Sequence, residues 1–424
     1  MGKARAARWL PTWNVGGAWN AHEEKFFSNL TSVLSHFTLK ASYSLTADRG
    51  PADVTNSQAI ITSYSPYRPF TSIQESGLYI KELENSELTY EKKHELNIGA
   101  DMGFLNNRIN LAVDWYKRNN YDLIGIVNTQ GAGGQILKYA NIASMKSHGI
   151  EFTLSTKNIK TKDFNWNTDF IFSNAKNEVT DLKQNANVME LISGNGFAKQ
   201  GYPVRGLFSI PFVGLDKDGI PVIINEKGEA TSTDINFQER QNTGFLKYEG
   251  PTDPTITGSL GNMFSYKGFR LNLFITYSFG NVIRLNPVFK AYYSDLTAMT
   301  REFKNRWTLP GDEAKTNVPA ILSKRMYDSN EDLKYAYNAY NYSTERIAKG
   351  DFIRLKEISL AYDFPKAWIN PLKLTDLSLK VQATNLFLIY ADDKLNGQDP
   401  EFFNAGGVAS PVPRQFTITL RLGL

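Results

Sequence analysis

The 424-residue sequence has no cysteine, which removes disulfides, thiolate metal sites and cysteine nucleophiles together. Histidine is scarce: His22, His36, His94 and His148 are scattered without metal-ligand or triad spacing. Nowhere do eighteen apolar residues run together, so a membrane-spanning helix is excluded. Charge of one sign is also missing, since 47 basic and 43 acidic side chains leave a formal +4. Without a basic cluster to add to it, that excess does not suggest nucleic acid as a partner. The start, MGKARAARWLPTW, is basic but has no apolar core behind it, so a secretory leader is not expected. Arg5-Ala6 after Met1-Gly2 does not fit a myristoylation signal either.

What the sequence has in quantity is alternation. It is 42% hydrophobic and 13% aromatic, with 26 Phe, 21 Tyr and 7 Trp. Residues 351–390, read with 411–424, hold the pattern around which the rest is organised. In RQFTITLRLGL, Phe416, Ile418, Leu420, Leu422 and Leu424 share one face, and Thr417, Thr419, Arg421 and Gly423 the other. LSLKVQATNLFLIY sets Leu377, Leu379, Val381 and Ala383 against Ser378, Lys380, Gln382 and Thr384, and DFIRLKEISLAYDFP does the same from Ile358 to Phe364. A period of two makes a strand with one apolar face. In water such strands form a half-buried sheet; in a bilayer they form a barrel, apolar outside and wet inside.

Further strands are expected over 8–20, 37–45, 95–104, 109–115, 150–155, 164–172, 256–266 and 269–279, for about eleven in all. Asn106-Asn107 and Lys267-Gly268 read as hairpin turns. Residues 47–87, 119–147, 177–253, 280–350 and 391–410 read as loops, with short strands expected at 207–214 and 221–224 and helix in 295–307. Short and long connections therefore alternate. Structureless loops of that length argue against a soluble domain, but an outer-membrane barrel has short turns on one side and long loops on the other. A charge facing lipid at mid-membrane costs about 2–4 kcal/mol, and the apolar faces named here carry none.

Several segments resemble the barrel of SusC/RagA-type TonB-dependent outer-membrane transporters. GDFIRLKEISLAYDFP, the Asn385-Leu386-Phe387 and Asp399-Pro400-Glu401 groups, ELTYEKKHELNIGADMGFLNNRINLAVDWYKRNNYDLI, SHGIEFTLSTKN and PVPRQFTITLRLGL carry the likeness, collinear over essentially the whole chain. The resemblance implies an all-β fold, an antiparallel transmembrane barrel of about twenty-two strands. Residues 1–424 would supply its C-terminal half, without the plug domain or the signal peptide. It also implies import of oligosaccharide or peptide, a SusD-like surface lipoprotein, the TonB-ExbB-ExbD system acting through a plug, and the barrel assembly machinery. Of the family's aspartate-rich loop only Asp216, Asp218 and Gly219 remain, so no calcium site is expected there. An odd strand count points the same way, because single-chain bacterial barrels are even and closed, and open edges are not tolerated in hydrocarbon.

Candidate site residues are aromatic. Tyr292, Tyr293, Tyr335, Tyr337, Tyr340 and Tyr342 lie in the long 280–350 connection and could stack on a ligand or pack the loop itself. Trp9, Trp13, Trp19, Trp115 and Trp166 read as an interfacial girdle. Glu95, Asp101, Glu151 and Asp169 recur on the polar parity and read as wall residues facing lumen or plug, not as catalytic pairs. The Gly131–Gly134 tip has no GK[ST] after it and is not a phosphate loop. No enzyme chemistry, metal or cofactor is expected. The expectation is an outer-membrane importer barrel in contact with lipid. A free-standing small pore would need a closed, even strand set, and a soluble β-rich glycan-binding protein would need a second sheet over the apolar face.

Overall fold

The structure is a computed structural model, and it describes residues 9–50, 58–67, 69, 75–131, 135–293, 299–403 and 413–424. Eleven strands make one antiparallel sheet in chain order. They are β1 Trp13–Asn20, β2 Leu34–Asp48, β3 Glu91–Phe104, β4 Ile109–Asn128, β5 Leu137–Lys160, β6 Phe164–Leu182, β7 Ile256–Tyr266, β8 Phe269–Phe279, β9 Phe352–Asp363, β10 Asp376–Ala391 and β11 Gln415–Gly423. The expected antiparallel all-β architecture is therefore present. One rim carries the short links; the other carries the long ones.

Register carries the apolar face across the whole sheet. Trp13, Leu45, Tyr43 and Val15 begin it, and a single row then runs from Leu39 through Ala100, Val113, Phe152 and Phe172. At the far edge Leu271, Leu360, Val381 and Ile418 lie side by side. Aromatic pairs lock neighbouring strands on this face: Phe152–Phe172 at 4.9 Å, Trp166–Phe264 at 5.6 Å and Phe269–Tyr362 at 4.4 Å between ring centroids. Each adds about 0.5–1.5 kcal/mol to its burial. Among the described residues no second layer covers the face, and on β11 Phe416 and Ile418 stay 73% and 74% exposed.

The β3–β4 turn shows how tightly the short rim is built. Leu105, Asn106 and Asn107 take φ of +52°, +55° and +58°, and the Arg108 N–H donates to Phe104 O at 2.9 Å. Asparagine accepts the left-handed region readily; Leu105 does so at about 1–2 kcal/mol.

Several expected loops contain regular structure. Most of 119–147 is strand and not loop: β4 continues to Asn128 and β5 begins at Leu137. Alternation fades there because this part of the hairpin extends beyond the band of apolar residues, so neither face needs to be apolar. Gly133 and Gly134 lie outside the described residues. Residues 47–87 hold a hairpin of Ile60–Tyr64 with Gly77–Glu82. Short strands form at Gly206–Ser209, Phe212–Leu215 and Pro221–Ile224, where they are expected. In 295–307 only a 3-10 turn, Arg301–Asn305, forms among the described residues. The helices of the 280–351 connection lie later, at Lys324–Ser329 and Leu333–Asn341.

The long connections from 183 to 255 and 280 to 351 fold together into a cap with its own core. Val188, Leu191, Ile192, Phe208, Ile210 and Ile223 form one buried cluster. Ile220, Phe289, Leu322, Leu333, Tyr337 and Tyr340 form a second. Buried apolar area, largely missing from the open sheet, is concentrated here, and it offsets the ordering entropy of connections this long.

Candidate functional site

The cap stands over the polar face of the sheet, and the site is built where the two meet. A pocket of about 570 Å³ opens there, lined by Thr257, Thr276 and Ser278 from β7 and β8 and by Lys356 of β9, with Arg205 and Glu401 from two long connections. Its walls are held by ion pairs. Arg205 Nη1 lies 2.7 Å from Asp253 Oδ1. Arg354, 4% exposed, places Nη2 2.5 Å from Asp399 and 3.2 Å from Glu401. Lys356 has no ion pair among the described residues, and the buried Oδ1 of Asn281 has no hydrogen bond.

Two more arginines hold the cap itself. Arg284 is 3% exposed and donates to the carbonyls of Phe208 (2.6 Å) and Ser343 (3.3 Å) and to Ser209 Oγ (2.9 Å). Burial pushes its guanidinium down to about 9, still charged at neutral pH. Arg346, 1% exposed, pairs with Glu302 at 2.6 Å and lies over the Phe289 ring at 4.8 Å. Arg346 and Arg284 tie the 280–351 connection to itself and to the 183–255 connection. Arg284 and Arg346 do not stand out in the sequence, because ion pairing between distant loops has no periodic signature, whereas Arg354 and its partners Asp399 and Glu401 lie in segments that carry the resemblance.

The six tyrosines separate. Tyr337 and Tyr340 point into the cap core, 1% and 2% exposed, and burial raises both phenols above their ordinary value. The Tyr337 hydroxyl donates to Ala320 O at 2.6 Å. These two rings pack the cap and offer no face to a ligand. Tyr342 is half-buried under the Arg284 guanidinium at 5.6 Å, and Tyr293 accepts the Lys290 N–H at 2.7 Å. Tyr292 and Tyr335 remain outward, Tyr292 stacked on Tyr327 and Tyr335 beneath Lys334 Nζ.

The tryptophans also divide. Trp13, Trp19 and Trp166 sit near strand ends on the apolar face, Trp115 lies well inside β4, and Trp9 precedes β1 and is 92% exposed. On the opposite, polar face Glu95 meets Lys93 and Arg118 at 2.9 and 3.1 Å, and Lys40 lies 2.9 Å from Asp101. Asp169 accepts from Ser155 Oγ at 2.6 Å. Asp216, from the aspartate-rich loop, accepts the N–H groups of Asp218 and Ile220 while Gly219 takes φ +74°. This closes a turn, and no group of three His, Cys, Asp or Glu among the described residues could hold a metal ion.

No family model matches the chain. It is 25% identical over 404 residues to TonB-dependent receptor P3 of Formosa agariphila, covering 91% of this chain and 37% of that protein. It is 26% identical over 444 residues to TonB-dependent receptor SusC of Bacteroides thetaiotaomicron, covering 98% and 40%. In fold it is similar to the RagAB peptide transporter, with a TM-score of 0.77 at 23% identity over 99% of this chain and 44% of that one. The homologues are thus SusC-type TonB-dependent receptors, and the chain, spanning about two fifths of their length, is consistent with the C-terminal part of their barrel.

Proposed function

We propose that residues 1–424 form the C-terminal half of the barrel of an outer-membrane nutrient importer, with its energy-coupling plug and the other barrel strands supplied from outside these residues. One observation carries the reading: an apolar face that crosses all eleven strands and that no second layer covers among the described residues. In water such a face would drive aggregation; against lipid tails it needs no cover. The long-link rim then faces outward, and the cap and its pocket stand at the cargo entrance.

In this reading a SusD-like lipoprotein covers the cap, the TonB system acts through the plug, and the cargo is an oligosaccharide or peptide. Tyr292 and Tyr335 are the rings placed to meet it, because they alone of the six keep an open face. Trp13, Trp19 and Trp166 serve as girdle residues. The test is an immunoblot of fractionated native host cells with antiserum against residues 351–424. Signal in the outer-membrane fraction that resists carbonate extraction is expected. Signal confined to the soluble fraction overturns the proposal.

A further inference from the structure

Near the short-link rim a polar row interrupts the apolar face, and it is in register. On three adjacent strands Thr156, Thr168 and Asn262 lie side by side, flanked by Ile109 on β4 and Leu273 on β8. Asn262 Oδ1 accepts from Trp166 Nε1 at 2.9 Å and from Thr168 Oγ1 at 2.7 Å. Thr168 Oγ1 accepts from Asn158 Nδ2 at 2.7 Å, and Asn158 Oδ1 from Thr156 Oγ1 at 2.9 Å. The indole of Trp166 can only donate, so it fixes the Asn262 amide with its oxygen inward. What is left over is donors: the Asn262 Nδ2 group has no partner among the described residues, and the side chain is half-buried on the outer face. A bare amide against hydrocarbon costs several kcal/mol.

Asn262 lies four residues before the end of β7. At about 3.3 Å per residue and a tilt of ~40° that is roughly 10 Å inside the short-link rim, near the boundary of tails and headgroups. The rim beside it is basic. Arg108 is exposed and held there by donating to Asn158 O at 2.9 Å and Lys157 O at 3.2 Å. Lys160 and Lys162 are exposed and carry no ion pair among the described residues, with Asp163 the one acid in that turn.

We infer that this patch holds a membrane phospholipid, its ester oxygens taken by the Asn262 amide and its phosphate by Arg108, Lys160 and Lys162. The inference rests on the barrel reading above. Spare donors at ester depth and cations at headgroup depth match the order of acceptors and negative charge along one lipid. A second copy of the chain related by a two-fold axis through the patch fits worse, because it would set donors against donors.

The test is native mass spectrometry of protein purified from outer membranes in mild detergent and titrated with phosphatidylethanolamine. Thr156→Val, Thr168→Val and Asn262→Leu together remove the network's central partners. This variant is expected to reach the outer membrane and to bind the lipid about tenfold more weakly, or not at all. Should it fail to assemble, the pair Lys160→Gln and Lys162→Gln, both on the exposed rim, gives the same readout with the network intact. Equal lipid retention by either assembled variant overturns the inference. So does unchanged lipid retention with a lost oligomer mass, which would assign the patch to a protein contact. Wild-type protein missing from the membrane would instead refute the barrel reading.

Discussion

Replacing Arg354 by methionine should release the connection that follows β10 while leaving the sheet in place. The guanidinium is buried and faces two carboxylates, Asp399 at 2.5 Å and Glu401 at 3.2 Å. Asp399 Oδ1 also accepts the Glu401 N–H at 3.1 Å, so the pair holds the 3-10 turn Pro400–Phe402 against the start of β9. Methionine fills most of the volume but leaves a nearly buried carboxylate without its cation, a loss of about 3–5 kcal/mol. At 1.36 kcal/mol per decade this is roughly two to three and a half orders of magnitude in local opening. Amide hydrogen exchange over residues 393–402, read by mass spectrometry, should accelerate accordingly, while exchange in β4 and β5 stays unchanged. Arg354→Met with Asp399→Leu should recover much of the protection, because removing both charges leaves nothing unpaired. Exchange within about threefold of wild type in the single variant would refute the reasoning.

The remaining predictions concern the cap. Tyr337→Phe, which deletes the hydrogen bond to Ala320 O, should lower cap stability by about 1 kcal/mol, and Tyr337→Ala by about 3–5 kcal/mol. Tyr335→Ala, on the surface, should stay within about 0.5 kcal/mol yet weaken cargo uptake; proteolytic susceptibility and uptake assays separate the two effects. Glu313 accepts from the indole of Trp307 at 2.9 Å and from the Gly311 N–H at 2.8 Å. These bonds, the indole's above all, hold its carboxyl below the ordinary 4.5. A lowered folded pKa means that the bond's contribution is complete above 4.5 and is lost as pH falls through the lower folded value. The Trp307 emission should therefore shift only in acid below that ordinary value, and Glu313→Gln should abolish the shift. A shift centred above 4.5 would contradict the assignment.

How much of this was readable depended on whether a residue's role was periodic. The apolar parity of Phe416 to Leu424 and of Phe269 to Phe279 follows from a repeat of two, and the eleven strands it implies are those in the sheet. Where β4 and β5 rise past the apolar band the repeat loses its physical cause, and residues up to Asn128 and from Leu137 on read as loop although they are paired strand. The tyrosines fail for a related reason. Their spacing in 335–342 suits either outward rings or a helix packed on a core, and only the cap's tertiary contacts bury Tyr337 and Tyr340 while leaving Tyr335 out. Arg284 and Arg346 left no signal, since their partners lie 44 to 76 positions away.

The motif residues that carried the resemblance belong to a third class, neither face nor core. Asn385 sits inside β10 at φ +54°, where the pairing with β9 slips between Leu355 and Glu357. Asparagine tolerates that conformation where most side chains do not, and the bulge turns the next residues, including Phe387, back to their face. Lys356 occupies the same irregularity from the β9 side and is thereby brought to the pocket. Two residues before it, Arg354 reaches the Asp399-Pro400-Glu401 turn. The FIRLK, NLF and DPE groups, far apart in the chain, are thus parts of one joint that bends the top of β9 and β10 and fastens a long connection over it. A smooth sheet would keep every side chain on its alternating face. The joint is where the chain departs from alternation, and it is there that Lys356, with no ion pair among the described residues, lines the pocket.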